Sequence, residues 1–291
     1  MKIPADLAQT LAAVVDEGSL DAAARALHVT QSAVSQRLAT LERLTGQVLL
    51  VRSRPVRPTP AGEAVVRFGR QVALLEADAA SALGIPADRP APLRIAVNAD
   101  SLATWLLRPL ADVVPGLGAT VHLRREDESY TAELLARGEV VAAVTTRAAA
   151  VPGCAVSPLG RMRYRAVAAP AFVTRWLPDG ATPAALAVAP VVDFDARDDL
   201  QGRWLSAVGA DPAAAPRHRV PSSTEFAEAI ALGLGWGLLP ESQREGRELV
   251  ALGGPELDVA LHWQQWRVQS ASLTAIADAV RAAAAVSFSS P

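Results

Sequence analysis

Ser19-Leu20-Asp21-Ala22-Ala23-Ala24-Arg25-Ala26-Leu27-His28-Val29-Thr30-Gln31-Ser32-Ala33-Val34-Ser35-Gln36-Arg37-Leu38 is the stretch that decides how this chain begins to fold. Ser19 stands where a helix cap is needed, since a side-chain oxygen there accepts one of the backbone N–H groups that a first turn leaves without partners. Leu20, Ala23, Ala24 and Leu27 recur at helical spacing and share one face. His28-Val29-Thr30 leaves room only for a turn, and a second helix from Gln31 buries Val34, Leu38 and Leu41. Two short helices joined in this way form a helix-turn-helix pattern. Ser32, Gln36 and Arg43 point away from the buried face, with Ser35 and Arg37 beside them and Thr30 and Gln31 at the helix start. Such side chains can hydrogen-bond to base edges and phosphates in a DNA major groove. A surface helix of any helical hairpin shows the same pattern, so charge has to separate the two readings.

Between Arg25 and Arg70 eight arginines stand against Glu42 and Glu63, in a chain whose 28 basic and 30 acidic residues leave a net charge of −2. The positive excess is local, as a DNA-contacting segment requires. Val48-Leu49-Leu50-Val51, followed by Arg52-Ser53-Arg54-Pro55-Val56-Arg57, reads as a short hairpin with arginines at its tip. That is the composition of a wing on phosphate or the minor groove, and it adds Arg52 and Arg54 to the DNA-binding candidates. Thr59-Pro60-Ala61 then supplies a cap and a proline at the first helical position. In the helix that follows, Ala61, Val65, Phe68, Val72, Leu75, Ala79 and Ala82 alternate at spacings of four and three, a heptad seam. A small N-terminal unit has little spare core for so long a stripe, so the seam predicts a homodimer through residues 61–84. Packing against the chain's own domain is the other reading.

The segment Ile85-Pro86-Ala87-Asp88-Arg89-Pro90-Ala91-Pro92 breaks any helix and marks a domain boundary. Beyond it, strand-like and helical runs alternate: strands at 93–97, 120–123, 140–144, 163–169, 190–194, 236–239 and 259–266, helices at 101–114, 131–137, 224–232 and 273–285. The fold class expected is therefore α/β after an α-helical winged helix-turn-helix. About 200 residues of this kind suit two lobes with a ligand cleft at strand ends.

With 291 residues, 51% hydrophobic and 20% charged, the chain can fill at least two cores and is not expected to be disordered. Its single cysteine, Cys154, excludes an intrachain disulfide and a cysteine zinc site, which fits a cytoplasmic protein. No signal peptide or membrane span is expected. The four histidines, His28, His122, His218 and His262, are scattered, and the sequence contains neither a GxSxG elbow nor a phosphate-binding loop. No catalytic set assembles, so the sequence reads as a non-enzyme without metal or cofactor.

Residues 22–37, together with Leu41-Glu42, Leu49-Leu50-Val51-Arg52 and Thr59-Pro60-Ala61-Gly62, resemble the LysR-type transcriptional regulators in order and spacing. The resemblance implies a winged-helix DNA-binding domain at 1–60, a dimerisation linker helix at 61–84 and a periplasmic-binding-protein-like effector domain at 92–291. Lobe I would comprise about 92–163 and 267–291, and lobe II about 164–266. Promoter DNA and RNA polymerase are the partners implied, with a homotetramer built from dimers. Asn98-Ala99-Asp100-Ser101-Leu102-Ala103-Thr104-Trp105, Glu126-Asp127-Glu128 and Pro190-Val191-Val192-Asp193-Phe194-Asp195 are similar to the ArgP/LysG/IciA group, which senses basic amino acids and controls their export. An effector-independent DNA-architecture or origin-binding protein, or a regulator of an unrelated small molecule, is the alternative.

A lysine or arginine effector carries one carboxylate and two cationic groups, and the cations require acidic partners once desolvated. Asn98, Asp100 and Ser101, after the first strand of the effector domain, are candidates for the ligand carboxylate or else merely cap a helix. Thr145 and Thr146 follow a buried strand and either bind a polar ligand or end the strand. Glu126, Asp127, Glu128, Asp193 and Asp195 are candidates for the cationic groups, Asp193 and Asp195 foremost. Asp198 and Asp199 read as charge at a helix start, and Thr224 is a weaker cleft candidate.

Overall fold

The structure is a computed structural model that describes residues 2–51, 53–85, 91–126 and 128–288. In chain order the elements are α1 (Ala5–Glu17), α2 (Leu20–Ala26), α3 (Gln31–Thr45), β1 (Leu50–Val51), β2 (Arg57–Pro58), α4 (Pro60–Ala82) and β3 (Ala91–Val97). Then follow α5 (Ala99–Thr104), α6 (Leu107–Val113), β4 (Ala119–Arg125), α7 (Glu128–Ala136), β5 (Ala142–Thr145), β6 (Cys154–Ala168), α8 (Pro170–Trp176) and α9 (Pro183–Leu186). The chain continues with β7 (Val191–Asp193), α10 (Leu200–Ala207), β8 (Arg217–Arg219), α11 (Ser223–Ala231), β9 (Gly237–Pro240), α12 (Glu241–Arg244), β10 (Val250–Ala251), β11 (Leu257–Trp266) and α13 (Ala271–Ser287). Two compact units result. One comprises Met1–Val97, Pro109–Ser157 and Trp263–Val280, the other Asn98–Arg108, Pro158–His262 and Arg281–Pro291.

The first unit opens with the helical domain. Ser19 caps α2 by accepting the Ala22 N–H at 3.1 Å, and Thr30 caps α3 through the Ala33 N–H at 3.2 Å. Between them His28 adopts a φ of +54°, a left-handed value that histidine tolerates better than most residues. Leu7, Leu11, Val14, Val34, Leu41 and Leu49 bury together as its core. β1 and β2 pair antiparallel, Val51 opposite Arg57, which gives the hairpin read from the sequence. α4 lies along α1 so closely that a Cβ on Gly69 would stand 2.5 Å from the Ala8 carbonyl oxygen, so glycine is required there by contact with neighbouring backbone.

The seam of α4 divides. Val65, and beside it Val66, join the domain's own core, whereas Phe68 and Leu75 on the seam, and Leu83 just past the helix, stay exposed at 37, 41 and 75%. Packing on the chain's own domain accounts for Val65, and Phe68 and Leu75 leave the rest of the stripe uncovered, because α4 outlasts the short domain it packs on.

Farther along the first unit, β3 pairs parallel with β4, Leu93 opposite Val121, and on its other edge with β5, Ile95 opposite Ala142. The end of β11 adjoins β5 through the Trp266 N–H and the Val141 carbonyl at 3.0 Å. In the second unit β6 pairs antiparallel with β9 and β10, and β7 pairs parallel with β8. Val167, Val192, Phe226, Ile230 and Leu239 form a core there, and Trp204 lies against Trp236 with ring centroids 4.9 Å apart. The helix expected at 101–114 is two helices, α5 and α6, separated at Trp105-Leu106. Both residues are buried, so packing of that pair overrides helical periodicity.

Candidate functional site

α3 presents Gln31, Ser32, Ser35 and Gln36 to solvent on the face opposite Val34, Leu38 and Leu41. Thr30 is exposed but already employed: its hydroxyl caps the helix and lies 2.9 Å from that of Ser32. Arg37 is half-buried and donates to the Thr10 hydroxyl of α1 at 3.3 Å, which turns it from the exposed face toward its own domain. Arg54 is exposed in the hairpin loop, and Arg52 lies outside the described residues. A further hollow of about 680 Å³ runs from Gln36 and Arg43 to Gln47 and Val48 at the end of α3. Gln47 was not among the sequence candidates because no periodicity governs a loop residue. Glu42 fixes the floor of this hollow by accepting the Leu49 N–H at 2.9 Å, and Thr59 ties the start of α4 to the Val48 carbonyl at 2.7 Å.

The effector candidates divide between the two units. In the first, Glu126 is held by Arg124 at 2.7 Å, and Arg124 also reaches Glu139 at 2.5 Å. Thr145 is buried and accepts from the Thr131 hydroxyl at 3.0 Å and the Arg147 N–H at 3.2 Å, and Thr146 beside it is half-buried. Glu128 begins α7, and Asp127 lies outside the described residues.

In the second unit Asp193 is 3% exposed and is gripped by one Arg217 amino group at 2.7 and 2.8 Å, so its charge is already compensated. Asp195 accepts the Arg197 and Asp198 N–H groups at 2.7 and 3.1 Å and shapes the turn after β7. Asp198 accepts the Phe194 and Leu200 N–H groups at 2.9 and 3.1 Å, yet burial pushes its carboxyl above the ordinary carboxylate value. Thr224 is exposed.

Asp100 has different neighbours. Its two oxygens accept from the Tyr164 and Ser223 hydroxyls, both at 2.6 Å, and no cation pairs with it among the ion pairs of the described residues. Gln243 in turn donates to the Ser223 hydroxyl at 2.6 Å. The carboxylate is held in place by neutral hydroxyls. Close by in sequence, Asn98 Oδ1 and the Ser101 hydroxyl are buried without hydrogen-bond partners. Buried polar atoms normally have partners, which makes these two candidates for a ligand contact. Tyr164, Ser223 and Gln243 escaped the sequence reading. Ser223, not Thr224, begins α11, and only the register of its buried face (Ser223, Phe226, Ala227 and Ile230) distinguishes the two.

Among the described residues no group of histidine, cysteine and acidic side chains is arranged to hold a metal, and no helix is long and apolar enough to cross a membrane. Cys154 is buried, and that burial raises its thiol above the ordinary value.

Comparison with known proteins follows the same division of the chain. Residues 5–63 match the bacterial regulatory helix-turn-helix protein, lysR family, and residues 88–285 match the LysR substrate binding domain. The chain belongs to the LysR family. Among LysR-family relatives, the lysine export transcriptional regulatory protein LysG of Corynebacterium glutamicum is 43% identical over 277 residues, covering 93% of this chain and 94% of that protein. The crystal structure of ArgP from Mycobacterium tuberculosis shares 44% identity with a TM-score of 0.83, covering 96% of both chains. Full-length LysG from Corynebacterium glutamicum with bound effector arginine shares 41% identity with a TM-score of 0.77, covering 98% of this chain and 99% of that one. The LysR-type fold and the ArgP/LysG resemblance drawn from the sequence both hold.

Proposed function

We propose that this LysR-family chain is a transcriptional regulator whose hold on promoter DNA responds to lysine or arginine and which governs the export or metabolism of those amino acids. The observation that carries the reading is Asp100, a carboxylate fixed by two neutral hydroxyls and left uncompensated beside the orphaned Asn98 and Ser101 atoms. A cationic ligand group gains a full charge-assisted hydrogen bond there without breaking an existing ion pair. Similarity along the whole chain to a relative solved with arginine supports the same reading.

On this reading the chain comprises a winged helix at 1–60, a linker helix at 61–84 and an effector domain at 92–291. Gln31, Ser32, Ser35 and Gln36 face the major groove, with Arg54 and Arg52 on phosphate. The exposed Phe68 and Leu75 of α4, with Leu83 just beyond it, meet the same residues of a second copy, and dimers pair into tetramers that contact RNA polymerase. The protein works in the cytoplasm, performs no catalysis and needs no cofactor beyond its effector.

A thermal-shift series of the twenty amino acids on the intact protein tests this. Lysine and arginine should raise the melting temperature, a ligand at 100 times its Kd adding about 2.7 kcal/mol. The reading fails if neither binds at millimolar concentration or if neutral amino acids bind as well.

A further inference from the structure

The helical domain and the first α/β lobe, which share one compact unit, meet along α4, and the contact is made of charge. Asp16 on the last turn of α1 pairs with Arg70 of α4 and with Arg94 of β3, the latter at 2.8 Å. Arg70 turns its other amino group onto the Gly138 carbonyl at 2.5 Å, and one turn earlier Arg67 donates to the Ala136 carbonyl at 3.1 Å. A Cβ on Gly138, whose φ is +71°, would stand 2.7 Å from that of Arg67, so a glycine is needed for this turn to reach the helix. The adjoining residue, Glu139, carries the contact on through Arg124 to Glu126, one of the acids that the sequence places near the effector.

Such a junction is a poor adhesive. The Arg70 side chain is 10% exposed, its Nε has no hydrogen-bond partner, and burial pulls its guanidinium below the ordinary value against the opposing pull of Asp16. A desolvated ion pair adds little net stability over an apolar contact, but losing one partner is severe. It therefore serves to select one arrangement: two arginines reach one carboxylate only when α1, α4 and β3 are in register.

The geometry points to a charge clamp, Asp16 on Arg70 and Arg94, that fixes the DNA-binding domain against the effector domain of the same chain and relays the state of Glu126 to DNA. A ligand cation that draws Glu126 from Arg124 leaves Arg124 to Glu139 alone, and Glu139 adjoins Gly138, whose carbonyl accepts from Arg70 at 2.5 Å. The relay rests on the basic-amino-acid reading, whereas the clamp does not. A winged helix released from the clamp must be ordered again at each half-site, which lowers DNA affinity.

The test is a double-mutant cycle of Asp16→Asn and Arg94→Gln in the full-length protein. Binding is measured by fluorescence anisotropy on a duplex selected by the wild-type protein from a random library, without effector and with saturating lysine or arginine. Each single substitution should lower effector-free affinity about fivefold, the lower end of ordinary coupling between sites. The double substitution should cost no more than Asp16→Asn alone. The effector-dependent change should shrink toward unity in all three variants while calorimetric lysine affinity in the absence of DNA is retained. Arg94→Lys, which keeps the charge, should recover most of the loss. If Asp16→Asn fails to fold, Arg94→Gln decides alone, since it leaves the buried Asp16 to Arg70 pair intact. Unchanged effector-free affinity in the folded variants, or additive losses in the double, overturns the clamp. A wild-type protein whose DNA affinity ignores lysine and arginine sinks the relay and the effector reading, and the clamp then stands or falls on the effector-free affinities.

Discussion

Two acids of similar appearance in the sequence, Asp193 and Asp100, receive opposite work from their neighbours. Asp193 meets Arg217 at 2.7 Å, so Asp193→Asn should cost about 2 kcal/mol of stability in a urea melt, less than a fully buried pair loses because Arg217 is partly exposed. It should leave the preference for basic amino acids unchanged. Asp100→Asn removes a charge that no arginine balances. The fold should survive while calorimetric affinity for lysine and arginine falls at least about tenfold, as expected for a lost hydrogen bond to a charged group; equal binding by this variant would remove Asp100 from the site. The sequence favoured Asp193 because a strand-end acid is visible there, whereas its partner Arg217 comes from another strand, and pairing between strands is not written in local spacing. Asp198 allows a pH test. Its folded carboxyl is raised by burial, so the native state binds the proton more tightly than the unfolded chain does, and its contribution to stability declines as pH rises from the ordinary carboxylate value through the raised one. Melting temperatures followed across that range should show the decline in the wild type and its loss in Asp198→Asn.

Elements were the most legible level. Ser19, Thr30 and Thr59 cap α2, α3 and α4, and each cap lies where a short polar residue precedes an apolar periodic run. Periodicity failed at 101–114, where Trp105 and Leu106 are buried as a pair between two helices, because tertiary packing can break a run that local pattern would continue. On α4 it identified a stripe without saying which part faces the chain itself. Leu75, 41% exposed, lies on the free part. Leu75→Glu should therefore leave the single chain folded but place an unpaired carboxylate in the contact between copies, releasing monomers. Sedimentation at micromolar concentration reads this directly, and an intact dimer would mean that the copies meet elsewhere.

At the scale of the molecule, a net charge of −2 provides no long-range attraction to DNA, so binding depends on a few local arginines and on where the fold sends them. Of the eight between residues 25 and 70, the structure withdraws several. Arg25 pairs with Asp21, Arg37 turns to Thr10, and Arg67 and Arg70 face the effector domain. The sequence count overstated the DNA-facing charge because a one-dimensional tally cannot see that the linker helix spends its arginines on the chain's own lobe. Each phosphate contact contributes about −0.9 to the slope of log K against log salt. Arg54→Ala, which deletes an exposed wing cation in both subunits of a dimer, should thus flatten the slope by about 2. Arg67→Ala should leave the slope unchanged whatever it does to affinity, since that guanidinium is committed to the Ala136 carbonyl. Salt titrations of the two variants on one duplex separate these outcomes. A flatter slope for Arg67→Ala would mean that the linker helix itself lies on the phosphates when DNA is bound, and that the junction seen here opens on the way.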